Sequence, residues 1–459
     1  MSLGDTLRDR VAAFGIPVSE ARGAAATNAV WLIAERLLSG VLAVTVTAAV
    51  ARHLGPAGFG VLSFALSLVL LFGTFWTLGL SGLIVRELVR DPGRQAELIG
   101  TITGLRLLGG IVAIAAALAL TVALGTDAQT RLAVAILAVG VLTLYTFDGI
   151  DFWLQAQVRS RNAVIARSAA LVIASVLNVG LIVANAPLTA FVVAAALEYA
   201  LAGVGLLLVY VRLGGHPRAW TFSATVTRSL LAASWPLILS GIANAINLRV
   251  DQLMLGTMKG AEAVGTYAAA ARLSEVWYFV PIAIAASVFP SMVRAHAGDR
   301  PAFDGWMGRL YDLMVALALP IAIGVSLLSG PLIFLLYGVR YAGSAPILAI
   351  HVWAGPFVFL GAALSRWLIA EDRLRFSFVR HGTGALVNVG LNLVLIPAFG
   401  GIGAAISTLV SYAVASFGAC FLYAPLRGQA WAMTRALLLP VRLLAAGLGA
   451  ARPTGRRGG

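Results

Sequence analysis

Residues 107–124 read LLGGIVAIAAALALTVAL, a run with no charged position. A helix rises about 1.5 Å per residue and the hydrocarbon core of a bilayer is about 30 Å thick, so about 20 apolar residues cross it. With its flank back to residue 98 this run is long enough. Runs of the same kind recur on both sides of it, near 28–51, 60–82, 131–154, 162–184 and 188–210, and again near 230–256, 266–290, 310–337, 343–370, 380–397 and 402–424. The pattern predicts an all-α integral membrane protein of about 12 transmembrane helices.

Composition supports that reading. Of 459 residues, 60% are apolar and 11% charged, and the mean hydropathy of +0.92 is far above that of a water-facing globular surface. A soluble enzyme is excluded. The lone Cys420 gives neither a disulfide framework nor a thiolate metal site. Residues 1–27 are polar and lack the short apolar core and small-residue cleavage site of a signal peptide, so the first apolar run is expected to stay as an anchor. The stretch 431–450 is interrupted by Arg435, Pro440 and Arg442 and reads as an interfacial helix.

The net charge of +14 could suggest a nucleic-acid partner, but its distribution does not. With the N-terminus on the cytoplasmic side, the cytoplasmic segments hold 24 of the 33 basic residues. The outer loops hold Arg52, Arg131, Lys259 and Arg340. The asymmetry places both termini inside by the positive-inside rule. Loop arginines such as Arg86, Arg90, Arg94 and Arg212 then orient the chain and meet anionic headgroups of the bilayer.

The two halves of the sequence resemble each other. Leu54-Gly55 followed by Phe59-Gly60 recurs as Leu255-Gly256 followed by Val264-Gly265, and Asn178-Val179-Gly180-Leu181 recurs as Asn388-Val389-Gly390-Leu391. The offset is about six helices, an even number, so the copies share one orientation and are expected to be related by a pseudo-twofold axis along the membrane normal. This gives an N-terminal tail at 1–27, a six-helix bundle at 28–210, a cytoplasmic linker at 211–229, a second bundle at 230–424 and a basic tail at 425–459. A substrate site is expected between the bundles. Pro281, Pro320 and Pro356 fall inside spans of the second half, and Gly330-Pro331 interrupts another; each proline removes a backbone donor and can bend a helix.

A charge at the bilayer centre costs about 3 kcal/mol on insertion scales, so embedded charges are informative. Eleven are read as embedded in the spans: Glu35, Arg36, Arg106, Asp148, Asp151, Glu198, Arg249, Asp251, Arg272, Glu275 and Arg366. Pairing across helices or snorkelling to the interface is one reading of them. The other is functional. Arg36, Arg106, Arg249, Arg272 and Arg366 supply planar forks of donors that match phosphate oxygens. Glu35, Asp148, Asp151, Asp251 and Glu275 are the candidates for carrying a coupling ion.

Other chemistries leave no trace. No phosphate-binding Gly-x-x-x-x-Gly-Lys-Ser/Thr loop is present, so the chain carries no ATP motor of that kind. His53, His216, His296, His351 and His381 lack metal-ligand spacing, and no serine nucleophile motif occurs. No cofactor is expected.

The segment Ala51-Arg52-His53-Leu54-Gly55-Pro56-Ala57-Gly58-Phe59-Gly60, with Gly79-Leu80 before Val85-Arg86-Glu87-Leu88, resembles the opening of bacterial polysaccharide flippases of the Wzx type. The series Arg249-Val250-Asp251-Gln252, Val264-Gly265-Thr266-Tyr267, Ala271-Arg272-Leu273-Ser274-Glu275 and Phe289-Pro290 is similar to the matching region of the same family. The resemblance spans roughly 28–424. It implies alternating-access transport of undecaprenyl-diphosphate-linked oligosaccharide from the inner to the outer leaflet of the bacterial cytoplasmic membrane. It also implies coupling to protons or sodium ions, and company from other polysaccharide-assembly proteins. A multidrug and toxin extrusion antiporter shares the expected architecture and is the first alternative. A membrane polysaccharide polymerase or ligase is the second, and it would need an outward catalytic loop that the short outer segments do not provide.

Overall fold

The computed structural model describes residues 18–77, 80–298, 300–373 and 375–442, and among them the backbone is helical almost throughout, with no strand. Residues 1–17 and 443–459 of the expected tails, and Gly79 of the opening motif, lie outside the described residues. The helices are α1 (Val18–Thr77), α2 (Ser81–Arg90), α3 (Gln95–Ala123), α4 (Ala128–Phe147), α5 (Gly149–Ala156), α6 (Ser160–Val183), α7 (Leu188–Arg212), α8 (Ala224–Lys259) and α9 (Ala261–Glu275). They continue with α10 (Phe279–Gly298), α11 (Arg300–Leu327), α12 (Ser329–Tyr337), α13 (Ser344–His351), α14 (Ala354–Ala370), α15 (Arg375–Phe399), α16 (Gly401–Ala413), α17 (Ala419–Leu422) and α18 (Arg427–Leu437).

Unbroken, the 60 residues of α1 would extend about 90 Å, three times the hydrocarbon thickness. The element is broken at Gly55, whose φ of 67° and ψ of 174° are not helical. Only glycine takes such a φ without strain, and Pro56 restarts the helix where no backbone donor is needed. The expected spans 28–51 and 60–82 are therefore the two arms of α1. Among the described residues ten helices can cross a membrane by length and hydropathy and the bent α8 makes an eleventh, one fewer than read from the sequence because the two arms of α1 run as one element.

Prolines account for several interruptions. Helix α8 bends by 58° between Trp235 and Ile238, where Pro236 lacks the donor for the preceding turn. Pro281 cannot bond the carbonyl of residue 277, and the chain passes from α9 to α10 through a 3-10 turn, Val276–Tyr278. Pro331 and Pro356 sit in the first turns of α12 and α14, where a missing donor costs little.

Two compact units divide the chain, one running to Ala269 and including Ile333–Gly343, the other comprising Ala270–Leu332 and the residues from Ser344 onward. In the first, Leu80, Ile84, Ile102, Ile150, Leu154 and Leu206 form a buried core beside Trp153, Tyr210 and Trp220. The repeated motifs meet within this unit. A Cβ on Gly60 would run into the Ala261 carbonyl, and one on Gly265 into the Pro56 carbonyl, so the repeat-related glycines set the closest approach of their helices. Arg52 of the opening motif donates to the carbonyls of Phe334 and Leu335, the latter at 2.6 Å, satisfying the C-terminal end of α12. Tyr341 donates to the Ala51 carbonyl at 2.8 Å, and burial pushes its phenol above the ordinary value.

In the second unit, Tyr311, Met314, Phe359, Leu364, Met433 and Ala436 form the core. Its α18 buries Ala430, Met433 and Ala436 and exposes Trp431 and Arg435. The stretch 431–450 that the sequence reads as an interfacial helix runs past residue 442 and out of the described residues. On the outside of both units, exposed valines and leucines such as Val112, Val183 and Leu386 present apolar surface to lipid.

Candidate functional site

The embedded charges of the first unit form a pairing network. Arg167, on α6, holds two carboxylates at once. Its Nε donates to Glu35 Oε1 at 2.7 Å and its Nη2 to Glu35 Oε2 at 3.3 Å, a bidentate fork, while Nη1 donates to Asp151 Oδ2 at 2.7 Å. Gln155, one turn along α5 from Asp151, donates to the same Oδ2 at 3.1 Å. Arg106, on α3 and only 1% exposed, donates through Nη1 to Asp148 Oδ2 and to the Tyr145 carbonyl, both at 3.1 Å. Its guanidinium also lies over the Phe152 ring at 5.0 Å. Asp148 and Asp151, three residues apart on either side of the α4–α5 junction, thus serve two different arginines.

The stoichiometry of this network is uneven. Glu35, Asp148 and Asp151 bring three negative charges against the two positive charges of Arg106 and Arg167. Asp151 Oδ1 is buried with no hydrogen-bond partner. A carboxylate oxygen left so costs free energy unless a proton or a metal cation occupies it.

Arg249 is placed differently. It is half-buried about midway along the Ile238–Lys259 arm of α8, and among the described residues no carboxylate pairs with it. It stands near enough to the Tyr145 hydroxyl to act on it electrostatically, which sets it beside the Arg106 pair. Asp251, two residues on, turns the other way: it is 3% exposed and accepts from the Tyr267 hydroxyl at 3.0 Å. Gln252 accepts from Ser67 at 2.8 Å nearby.

The remaining predicted residues are spread over both units. In the first, Glu198 is half-buried on α7, and the side chain of Arg36 lies outside the described residues. In the second, Arg272 and Glu275 are half-buried, three residues apart near the end of α9. Arg366, on α14, is half-buried over the Phe289 ring at 5.5 Å. The structure therefore brings together Glu35, Arg106, Asp148 and Asp151, with Arg249 at their edge.

Two embedded arginines escape the sequence reading, Arg167 and Arg380. Each lies a turn or two inside the N-terminal end of its helix, which the sequence reading expects on the cytoplasmic side, so each counts there as one more orienting loop charge under the positive-inside rule. The available signal was the apolar flank Ala163-Val164-Ile165-Ala166, which puts Arg167 already inside its span. Among the described residues no group of His, Cys, Asp and Glu is arranged to hold a metal ion.

A family model described as "Polysaccharide biosynthesis protein" matches residues 25–296, more than half of the sequence. The chain belongs to this family. No curated protein matches the chain. Among solved structures it is similar to "Lipid II flippase MurJ, inward closed conformation", with a TM-score of 0.70 and 15% identity over 91% of this chain and 92% of that one. It is also similar to an inward-facing multidrug resistance MATE family transporter of the MOP superfamily, with a TM-score of 0.62 and 15% identity over 88% of this chain and 95% of that one. A third, a MOP superfamily transporter from Pyrococcus furiosus described by the reverse polarity of its binding pocket, gives a TM-score of 0.62 at 16% identity over 91% and 96%. The fold is that of these solved transporters, and the many apolar helices make this family member a multi-pass membrane protein.

Proposed function

We propose that the protein flips an undecaprenyl-diphosphate-linked oligosaccharide from the cytoplasmic to the outer leaflet of the bacterial inner membrane by alternating access, with both termini cytoplasmic. The observation that carries this is Arg249, a half-buried guanidinium midway along the Ile238–Lys259 arm with no carboxylate partner among the described residues. Carrying a diphosphate and sugar hydroxyls through hydrocarbon without compensating contacts is prohibitive. A planar fork that no internal carboxylate neutralises is suited to replace water around phosphate oxygens. Arg366, also without a carboxylate among the described residues, extends the same capacity to the second unit, and Arg36, Arg106 and Arg272 complete the proposed basic set. Other polysaccharide-assembly proteins are its proposed company.

Coupling to protons or sodium belongs to the same reading. The surplus carboxylate of the Glu35, Asp148 and Asp151 network, with Asp151 Oδ1 unpartnered, is suited to one proton or one monovalent cation. Asp251 and Glu275 remain the proposed second pair of ion carriers. That surplus is also the observation that favours the multidrug antiporter alternative, because an acidic network attracts organic cations. Reconstituted liposomes separate the two. Translocation of a fluorescent lipid-diphosphate sugar supports the flippase. Uptake of cationic drugs with no movement of that lipid would replace it with the antiporter.

A further inference from the structure

The second unit buries one charge that nothing in the proposed function uses. Arg380, on α15, is 4% exposed. Its Nη2 donates to Ser365 Oγ at 2.7 Å, and Ser365 in turn donates to the Gly361 carbonyl at 2.8 Å, so the hydroxyl offers no charge. Arg380 Nε is buried with no partner. Tyr311 and Cys420 stand within electrostatic range of the guanidinium, and both are neutral groups; Tyr311 donates its own hydrogen to Gln429 at 2.9 Å.

No carboxylate reaches Arg380 among the described residues, and most of those in its unit are engaged or exposed. Glu371 pairs with Arg300 at 2.6 Å and with His296 at 3.1 Å, Asp304 lies 3.8 Å from Arg300, and Asp312 pairs with Arg442 at 3.1 Å. Asp372 is exposed, and Glu275 lies beside Tyr278. A buried guanidinium without a counter-charge costs several kcal/mol. Its own helix adds to the cost, because Arg380 lies in the second turn of α15, near the positive end of the helix dipole.

Gly361 packs against one flank of the guanidinium: a Cβ there would stand 3.4 Å from Arg380 Nη1 and would run into Ser416 Oγ. The chain opposite, which carries Ser416, runs as a π-helical turn over Val414–Gly418, a widened geometry frequent at functional sites.

We infer that Arg380 is the core of a buried site for a small inorganic anion of the halide class, held by its unpartnered Nε–H. The near-complete burial excludes a lipid headgroup or a diphosphate sugar by size, and a single negative charge is what the guanidinium lacks. The site is independent of the flippase reading.

The test is thermal unfolding of the purified full chain in detergent, with chloride replaced by gluconate at constant ionic strength. Chloride, and bromide in its place, raises the unfolding temperature of the wild type by several degrees, because an anion that binds only the folded state stabilises it. Arg380→Gln removes the dependence, whereas Arg249→Gln and Arg366→Gln keep it. Arg380→Lys retains the charge without the fork and moves the response to higher chloride, which keeps the test informative where the glutamine variant does not fold. No chloride response in the wild type, an equal response to gluconate, an unmoved midpoint in the lysine variant, or loss of the response in the Arg249 or Arg366 variant would each overturn the assignment.

Discussion

Arg106 and Arg380 are both almost fully buried, at 1% and 4% exposure, yet their surroundings are opposite. In the first unit Arg106 has an aspartate, a backbone carbonyl and an aromatic face. In the second unit Arg380 has one serine hydroxyl and a buried Nε without a partner. Around Arg106 the first unit supplies the counter-charge, in a network with one carboxylate more than its arginines; around Arg380 the second leaves a cation for something outside the chain to neutralise. Burial alone therefore does not say what an arginine does. What distinguishes them is whether a carboxylate lies on the neighbouring helix.

The largest expected effect breaks this contrast directly. Arg106→Gln strands Asp148 beside a neutral group, and breaking a buried pair of this kind costs about 3 kcal/mol. Arg380→Gln strands no charge, so in chloride-free buffer it leaves stability unchanged or raises it. Thermal unfolding of the two variants in gluconate checks both; a larger loss for Arg380→Gln would reverse the comparison.

A smaller effect concerns the spare carboxylate. Asp151→Asn removes the site at which a proton or cation would load while keeping a group that can accept from Arg167 and Gln155. Flipping in liposomes should lose its dependence on an imposed proton or sodium gradient, with protein levels near those of the wild type. Unchanged gradient dependence for both ions would remove this network from the coupling scheme.

The smallest effect is expected at the surface. Arg94 pairs with Glu97 at 2.8 Å in an exposed position, and such pairs contribute little. Arg94→Ala should change neither unfolding temperature nor transport measurably.

Much of this was legible in the sequence, for a physical reason: in lipid, length and apolarity fix a helix almost unaided. The apolar spans, the Gly55-Pro56 break inside the opening motif and the matching Gly60 and Gly265 all come from local composition. Embedded carboxylates were found because nothing else explains an aspartate in an apolar run. Arg167 and Arg380 were not, because an arginine near a cytoplasmic helix end has an ordinary explanation in topology. Partners were also out of reach. The pairing of Arg167 with Glu35 joins residues 132 positions apart, and no periodicity encodes it.

The central claim is that Arg249 is an uncompensated cation that meets the diphosphate of a lipid-linked sugar. Its most direct test is the translocation rate of a fluorescent undecaprenyl-diphosphate sugar in liposomes carrying equal amounts of wild type, Arg249→Ala or Arg94→Ala. We predict that Arg249→Ala slows translocation about tenfold or more, the ratio that about 1.4 kcal/mol of lost interaction produces, while Arg94→Ala matches the wild type. Equal rates for all three proteins would contradict it.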